Sequence, residues 1–173
     1  MRTIITETKA YKFEELTDNQ KSKAIDNLYN INVDSDWWVF LYEDAERIGL
    51  KITGFDIDRG SYCKGNFILS ANEVAQNIFN EHGEQCETYQ TAKSFMEEWQ
   101  PVYNDYLDEN SPKYESGESE DKLQELEEEF KKSLLEDYRI MLSKEFDYQT
   151  SDEAIIETIH ANDYEFDENG NLI

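Results

Sequence analysis

Bases are scarce in this chain. Sixteen lysines and arginines stand against 40 aspartates and glutamates, a formal net charge of −24 over 173 residues. A surface of that sign repels a phosphate backbone, which excludes direct binding of nucleic acid. There is no stretch of eighteen apolar residues, so no membrane span is expected. Two cysteines, with no charged-then-apolar leader ahead of them, predict reduced thiols in a cytosol, not a disulfide framework. Histidine and glycine are also sparse, at two and seven residues. No Ser-His-Asp order, isolated Cys-His pair or phosphate-cradling glycine loop stands out. The expectation is a protein that is not an enzyme and carries no cofactor. No internal repeat is found.

What the chain does have is aromatic residues: eleven Tyr, nine Phe and three Trp, more than a disordered acidic tail would carry. This protein folds, and residues 1–173 are long enough to read as a single domain. Residues 36–69 organise the rest. Trp37, Trp38, Leu41, Ala45 and Ile48 share one broad helical face, and Glu43, Asp44, Glu46 and Arg47 lie largely opposite. Trp38, in phase with Leu41, Ala45 and Ile48, is expected in the core, with Trp37 partly exposed. Gly49 ends the helix in a left-handed turn. Leu50 and Ile52 then alternate with Lys51 and Thr53 as a strand does. At Gly54 the phase slips, and a bulge there would keep Phe55 and Ile57 on the core face, with Asp56 and Asp58 facing solvent. Residues 59–65 read as a turn-rich loop, and Phe67, Ile68 and Leu69 as the returning strand.

Before this unit, Tyr11-Lys12-Phe13 is strand-like, and Thr17 with Gln20 forms a capping box opening a helix to about Asn30 that buries Ala24, Ile25 and Leu28. After it, Ser70 with Glu73 caps a helix burying Val74, Ala75, Ile78 and Phe79, ending near Gly83. Residues 88–100 form another, with Ala92, Phe95, Met96 and Trp99 inward, broken or kinked at Pro101. Residues 108–121 carry almost nothing to bury and read as a flexible acidic loop. The longest helix covers 121 to about 146, with Leu123, Leu126, Phe130, Leu134, Tyr138, Met141 and Leu142 as its stripe. Thr150 with Glu153 caps a last helix bearing Ile155, Ile156 and Ile159. Residues 164–173 close as a hairpin. The predicted fold is α+β, with helices packed on a small antiparallel sheet and one long acidic amphipathic helix.

The acid excess is uneven. Residues 1–70 carry 12 acids and 9 bases, whereas residues 71–173 carry 28 and 7. Self-repulsion on that scale costs stability, so the second half needs a reason. Residues 97–130 alone hold 13 acids and two bases. Glu118, Asp121, Glu125, Glu128 and Glu129 would stand about one helical turn apart, roughly 5–6 Å, a spacing comparable to phosphates along a strand. With Glu97, Glu98, Asp105, Asp108 and Glu109 they form the candidate partner-binding set, although Lys131 and Lys132 interrupt the row. A solvated helix face is the plainer alternative.

Other clusters are weaker. His82 and Cys86 are four apart, but Gly83 lies between them and Cys63 and His160 stand alone, so two small buried thiols and two ordinary histidines are expected, not a zinc site. Asp167-Glu168-Asn169-Gly170 is a hairpin turn, since a calcium loop would need an acid beyond the last residue. Asp56 and Asp58, joined by His82, are the ligands a metal-dependent enzyme would use; no further acid or lysine follows at nuclease-like spacing.

Several of these stretches match a pattern. Tyr11-Lys12-Phe13-Glu14-Glu15-Leu16-Thr17, the Lys21–Ala24 helix start, Asp36-Trp37-Trp38, Tyr42-Glu43-Asp44-Ala45, Ile48-Gly49 and residues 54–60 together resemble a family of small acidic proteins. Tailed phages and bacterial mobile elements encode that family, and its members are often labelled antitoxins of toxin–antitoxin systems. The likeness covers residues 9–95 and brings no catalytic residues. It implies a role in the cytoplasm of a bacterial host, in host takeover, defence evasion or element maintenance. The expected partner is a host protein with a basic nucleic-acid-binding surface. The expected function is an anti-defence inhibitor, of anti-CRISPR or anti-restriction type, acting by nucleic-acid mimicry. The alternative within the same setting is an antitoxin that neutralises a basic toxin.

Overall fold

A computed structural model describes residues 1–2, 9–108, 111 and 117–173. The fold is α+β: helices pack against two small antiparallel sheets, each of two strands. The chain divides into two compact units, residues 1–37 with 144–173, and residues 38–143.

In the first unit β1 (Tyr11–Lys12) pairs antiparallel with β4 (Glu165–Phe166), Tyr11 opposite Phe166. A single 3-10 turn, Phe13–Glu15, leads to α1 (Asp18–Asn27). The predicted capping box is present: the Thr17 N–H donates to Gln20 Oε1 at 2.8 Å. The helix facing α1 spans Asp152–Ala161 and is α6 in chain order. Its cap is Ser151, not Thr150, and the Ala154 N–H donates to Ser151 Oγ. The Thr150 hydroxyl is instead committed to the Phe146 carbonyl of the preceding helix. Phe13, Leu16, Ala24, Leu28, Ile155, Ile159 and Phe166 form the core. The closing hairpin shrinks to one bridge, Phe166 to Leu172, across a turn held by the Asp167 carboxylate. Gly170 has φ 79° and lies so near α1 that a Cβ would stand 2.7 Å from the Gln20 carbonyl, so no side chain fits.

The second unit is built on α2 (Val39–Ile48), β2 (Leu50–Asp56) and β3 (Tyr62–Phe67). The helix starts two residues later than its apolar period predicts. Trp38 is its N-cap, with its carbonyl accepting from Leu41 and Tyr42, while the Trp37 N–H closes a turn on Ser35. Both indoles are half-buried, so the expectation of a core Trp38 is corrected. Its ring meets Phe55 edge-on, and Trp37 packs on Phe146. Gly49 ends α2 at φ 97°, as predicted. The bulge is also present, as a shift of register between Ile52 and Gly54 that leaves Thr53 as the extra residue. Phe55 and Ile57 are only half-buried. The returning strand begins earlier than expected, at Tyr62, and ends at Phe67, leaving Ile68 and Leu69 exposed.

Helix α3 (Ala71–Glu81) carries the predicted Ser70–Glu73 capping box. Helix α4 (Glu87–Leu107) corrects the break at Pro101, because it continues two turns beyond the proline. Proline removes one N–H and leaves the Glu97 carbonyl without its helical donor. Trp99 stacks on Tyr103 at 4.4 Å, and Tyr103 on Tyr106, so an aromatic ladder bridges the missing bond. Helix α5 (Glu118–Gln149) is 32 residues long, about 48 Å. Its first turn occupies the end of the expected acidic loop; residues 109–110 and 112–116 of that loop lie outside the described residues. Leu126, Phe130, Leu134, Tyr138 and Leu142 are buried along it, as their spacing predicts.

Candidate functional site

Two helices of the second unit carry the predicted carboxylates, and their orientation follows from what they bury. Phe95 of α4 stacks flat on Phe130 of α5, with centroids 4.2 Å apart. Trp99 donates from Nε1 to Glu127 Oε1 at 3.3 Å. With those rings turned inward, Glu97 and Glu98 of α4 are exposed, as are Glu118, Asp121, Glu125, Glu128 and Glu129 of α5. Asp105 is half-buried, Asp108 is exposed as the residue closing α4, and Glu109 lies outside the described residues. Glu98 and Glu129 are brought together: both line one open groove of about 350 Å³ between α4 and α5.

The row is partly self-neutralised. Lys122 binds Glu125 at 2.7 Å and Lys131 binds Glu128 at 2.7 Å, each one turn apart on the same helix. Further along, Arg139 clamps Glu136 with both ends of its guanidinium. Sequence reasoning treated Lys131 as a gap in the row, whereas the structure makes it a partner of the row. Surface pairs of this kind are worth only about 0.3–0.5 kcal/mol each. Lys122 also feels Glu129 and Glu98; with its hydrogen bond to Glu125 leading, these carboxylates raise its pKa.

A second cluster was not anticipated. Asp44 of α2 accepts from the Tyr138 hydroxyl at 2.8 Å and from Arg47 at 2.8 Å. His82 Nε2 stands 3.4 Å from the same carboxylate without hydrogen-bond geometry, and His82 Nδ1 is 2.7 Å from Thr88 Oγ1. Burial pushes the Asp44 pKa up, but the neighbouring His82 ring and the hydrogen bonds from Tyr138 and Arg47 outweigh it and hold it below the usual range. Burial first, and then the Asp44 charge, push the Tyr138 phenol far up. The order Asp–His–Thr has the outline of a nucleophile relay, but Thr88 is only 3% exposed, so its hydroxyl meets no substrate. The cluster ties α2, α3 and α5 together. Its signal in the sequence was a polar Asp44 and His82 beside apolar stripes, which periodicity alone assigns to solvent.

The weaker candidates disperse. Cys63 is half-buried and its thiol is pushed up to about 11 by burial and then by Glu136, while Cys86 is exposed at the start of α4, which corrects the expectation of two buried thiols. His160 sits 2.9 Å from Glu14. The Asp56 carboxylate accepts the Asp58 N–H at 2.8 Å, a local turn that occupies one of the two acids. Among the described residues no three His, Cys, Asp or Glu side chains converge, and no helix is long and apolar enough to cross a membrane. No family model, curated protein or solved structure matches the chain.

Proposed function

We propose that this is an acidic interaction protein of phage or mobile-element type. In this reading it blocks a host nucleic-acid-binding effector by presenting the α4–α5 face in place of nucleic acid. The supporting observation is the exposed carboxylate set Glu97, Glu98, Glu118, Asp121, Glu125, Glu128 and Glu129, carried by two helices locked at Phe95–Phe130. A rigid display of charge costs the partner little reorganisation, associates fast and weakens with salt. Glu125, Glu128 and Glu129 are the residues to reverse. The triple Lys variant should lose inhibition of DNA binding by restriction or CRISPR effectors by at least about tenfold in low salt, since each buried or rim charge pair contributes on the order of a kcal/mol. Undiminished inhibition would sink the mimic mechanism. The antitoxin reading draws on the resemblance in residues 9–95 and uses the same face; a basic toxin encoded next door, whose toxicity this chain relieves, would favour it.

A further inference from the structure

Asn169-Gly170 is the one Asn-Gly step in the sequence, and it lies in the turn that closes the first unit. The step carries its own chemistry. A main-chain nitrogen that follows asparagine can attack the side-chain amide, and glycine, with no Cβ to crowd the approach, opposes that attack least. The electrophile is available: Asn169 is exposed, and among the described residues nothing hydrogen-bonds its carboxamide. The nucleophile is not. Gly170 is buried, its N–H donates to the Asp167 carbonyl at 3.1 Å, and a Cβ there would stand 2.7 Å from the Gln20 carbonyl of α1. Polar contacts dock the turn on that helix. Gln20 Nε2 donates to the Glu168 carbonyl at 2.7 Å, and Asn27 Nδ2 donates to the Gly170 carbonyl at 3.4 Å and to Asn171 Oδ1 at 3.3 Å.

We propose that Asn169 is a deamidation site gated by this turn: it reacts only while residues 167–171 are lifted off α1, and the isoaspartate formed keeps them from docking again. In the open turn Gly170 N bonds to Asn169 Cγ and gives its proton to solvent. The Cγ–Nδ2 bond breaks, and Nδ2 takes up a proton from solvent and leaves as ammonia. Water then opens the cyclic imide. Attack at Cγ yields aspartate. Attack at the Asn169 main-chain carbon breaks its bond to Gly170 N and yields isoaspartate, with the chain rerouted through Cγ. That backbone is one methylene longer and carries a free carboxylate beside Asp167 and Glu168. A main chain lengthened at this point cannot seat Gly170 in a niche too tight for a Cβ. The modification is a permanent record of opening in the first unit.

The full chain is aged in native buffer and, in parallel, in urea, and residue 169 is followed by peptide mass mapping with isoaspartyl methylation. The native chain should react at least about tenfold slower than the unfolded one, because local opening must come first. Asn27→Ala loosens the docking on α1 and leaves the turn's own bonds intact, so it should speed the native reaction about two- to fivefold. Amides of residues 166–171 should exchange faster in the purified isoaspartate chain than in fresh protein. Equal rates in buffer and urea, or no effect of Asn27→Ala, overturn the gate. Failure to react even in urea overturns the site, and an isoaspartate chain that still protects residues 166–171 overturns the latch.

Discussion

The two units handle the same excess of acid differently. In the first, carboxylates are tied to segments far apart in the chain or to turns. Asp163 and Glu165 hold Lys12 Nζ at 2.9 and 3.1 Å, and Asp167 accepts the N–H groups of Asn169 and Asn171. Its small core is thus stitched by polar contacts between the two ends of the chain. In the second unit a larger core, fifteen buried residues among those described, does the holding. The ion pairs along α5 are three residues apart on one helix and add little. Acid that serves the fold explains itself. Acid arrayed on a helix whose core is already sufficient needs another account, and binding is the one proposed.

Deleting a core ring tests this contrast hardest. Phe130→Ala in the second unit and Phe166→Ala in the first each remove a ring less than 4% exposed, and each should cost about 3–5 kcal/mol in denaturant melts. Hydrogen exchange should then accelerate in the amides of the unit that lost its ring. A mild Phe130→Ala phenotype would mean that the core of the second unit is not what displays its acids, and the comparison would break.

Tyr138→Phe is expected to have the next largest effect. It withdraws a buried hydroxyl from Asp44 and should cost about 1–3 kcal/mol at neutral pH, as lost hydrogen bonds to charged groups do. Because the folded pKa of Asp44 lies below its ordinary value of 3.8, its stabilisation is complete above that value. It is lost as the pH falls from there through the depressed folded value. Wild-type stability should therefore decline across that acid window, and Tyr138→Phe should flatten the decline. An identical slope in both proteins would remove Asp44 from the account.

Much of this architecture is legible in the residues. The capping boxes at Thr17 and Ser70, the Gly49 stop, the Thr53 bulge and the stripe from Leu126 to Leu142 all follow local rules that tertiary contacts did not override. The misreadings have tertiary causes. Trp38 sits in helical phase with Leu41, but it stands just before the first residue of α2, and its half-buried ring packs edge-on against Phe55, a contact that periodicity does not encode. Pro101 reads as a break or a kink, and the break is absent: α4 continues past it, with Trp99, Tyr103 and Tyr106 stacked along that stretch. At the candidate site, helical spacing gave the carboxylate row of α5. It could not show that Glu98 meets Glu129 across a groove, because that depends on how Phe95 stacks on Phe130. The Asp44–His82–Tyr138 cluster joins residues up to 94 apart, beyond the reach of any local pattern.

The smallest expected effect separates the two uses of acid by sign. Asp137 is half-buried on α5, where burial raises its pKa, the Thr91 hydroxyl lowers it, and Glu87 and Glu136 raise it further. A carboxylate raised in the folded state is a liability once ionised, so its cost is full above the folded value and absent below 3.8. Asp137→Asn keeps an oxygen for Thr91 and removes the charge. It should be neutral or stabilising by up to about 1 kcal/mol at pH 7, with the gain vanishing in acid. Asp167 of the first unit is the opposite case, its carboxyl held low chiefly by Asn171. Asp167→Asn should destabilise at pH 7, and that loss should fade as the pH falls below 3.8. Thermal melts of both variants at neutral and acid pH give the two signs directly. If both variants destabilise at pH 7 with the same pH dependence, the acids of the two units do equivalent structural work, and the charge on α5 no longer calls for a partner.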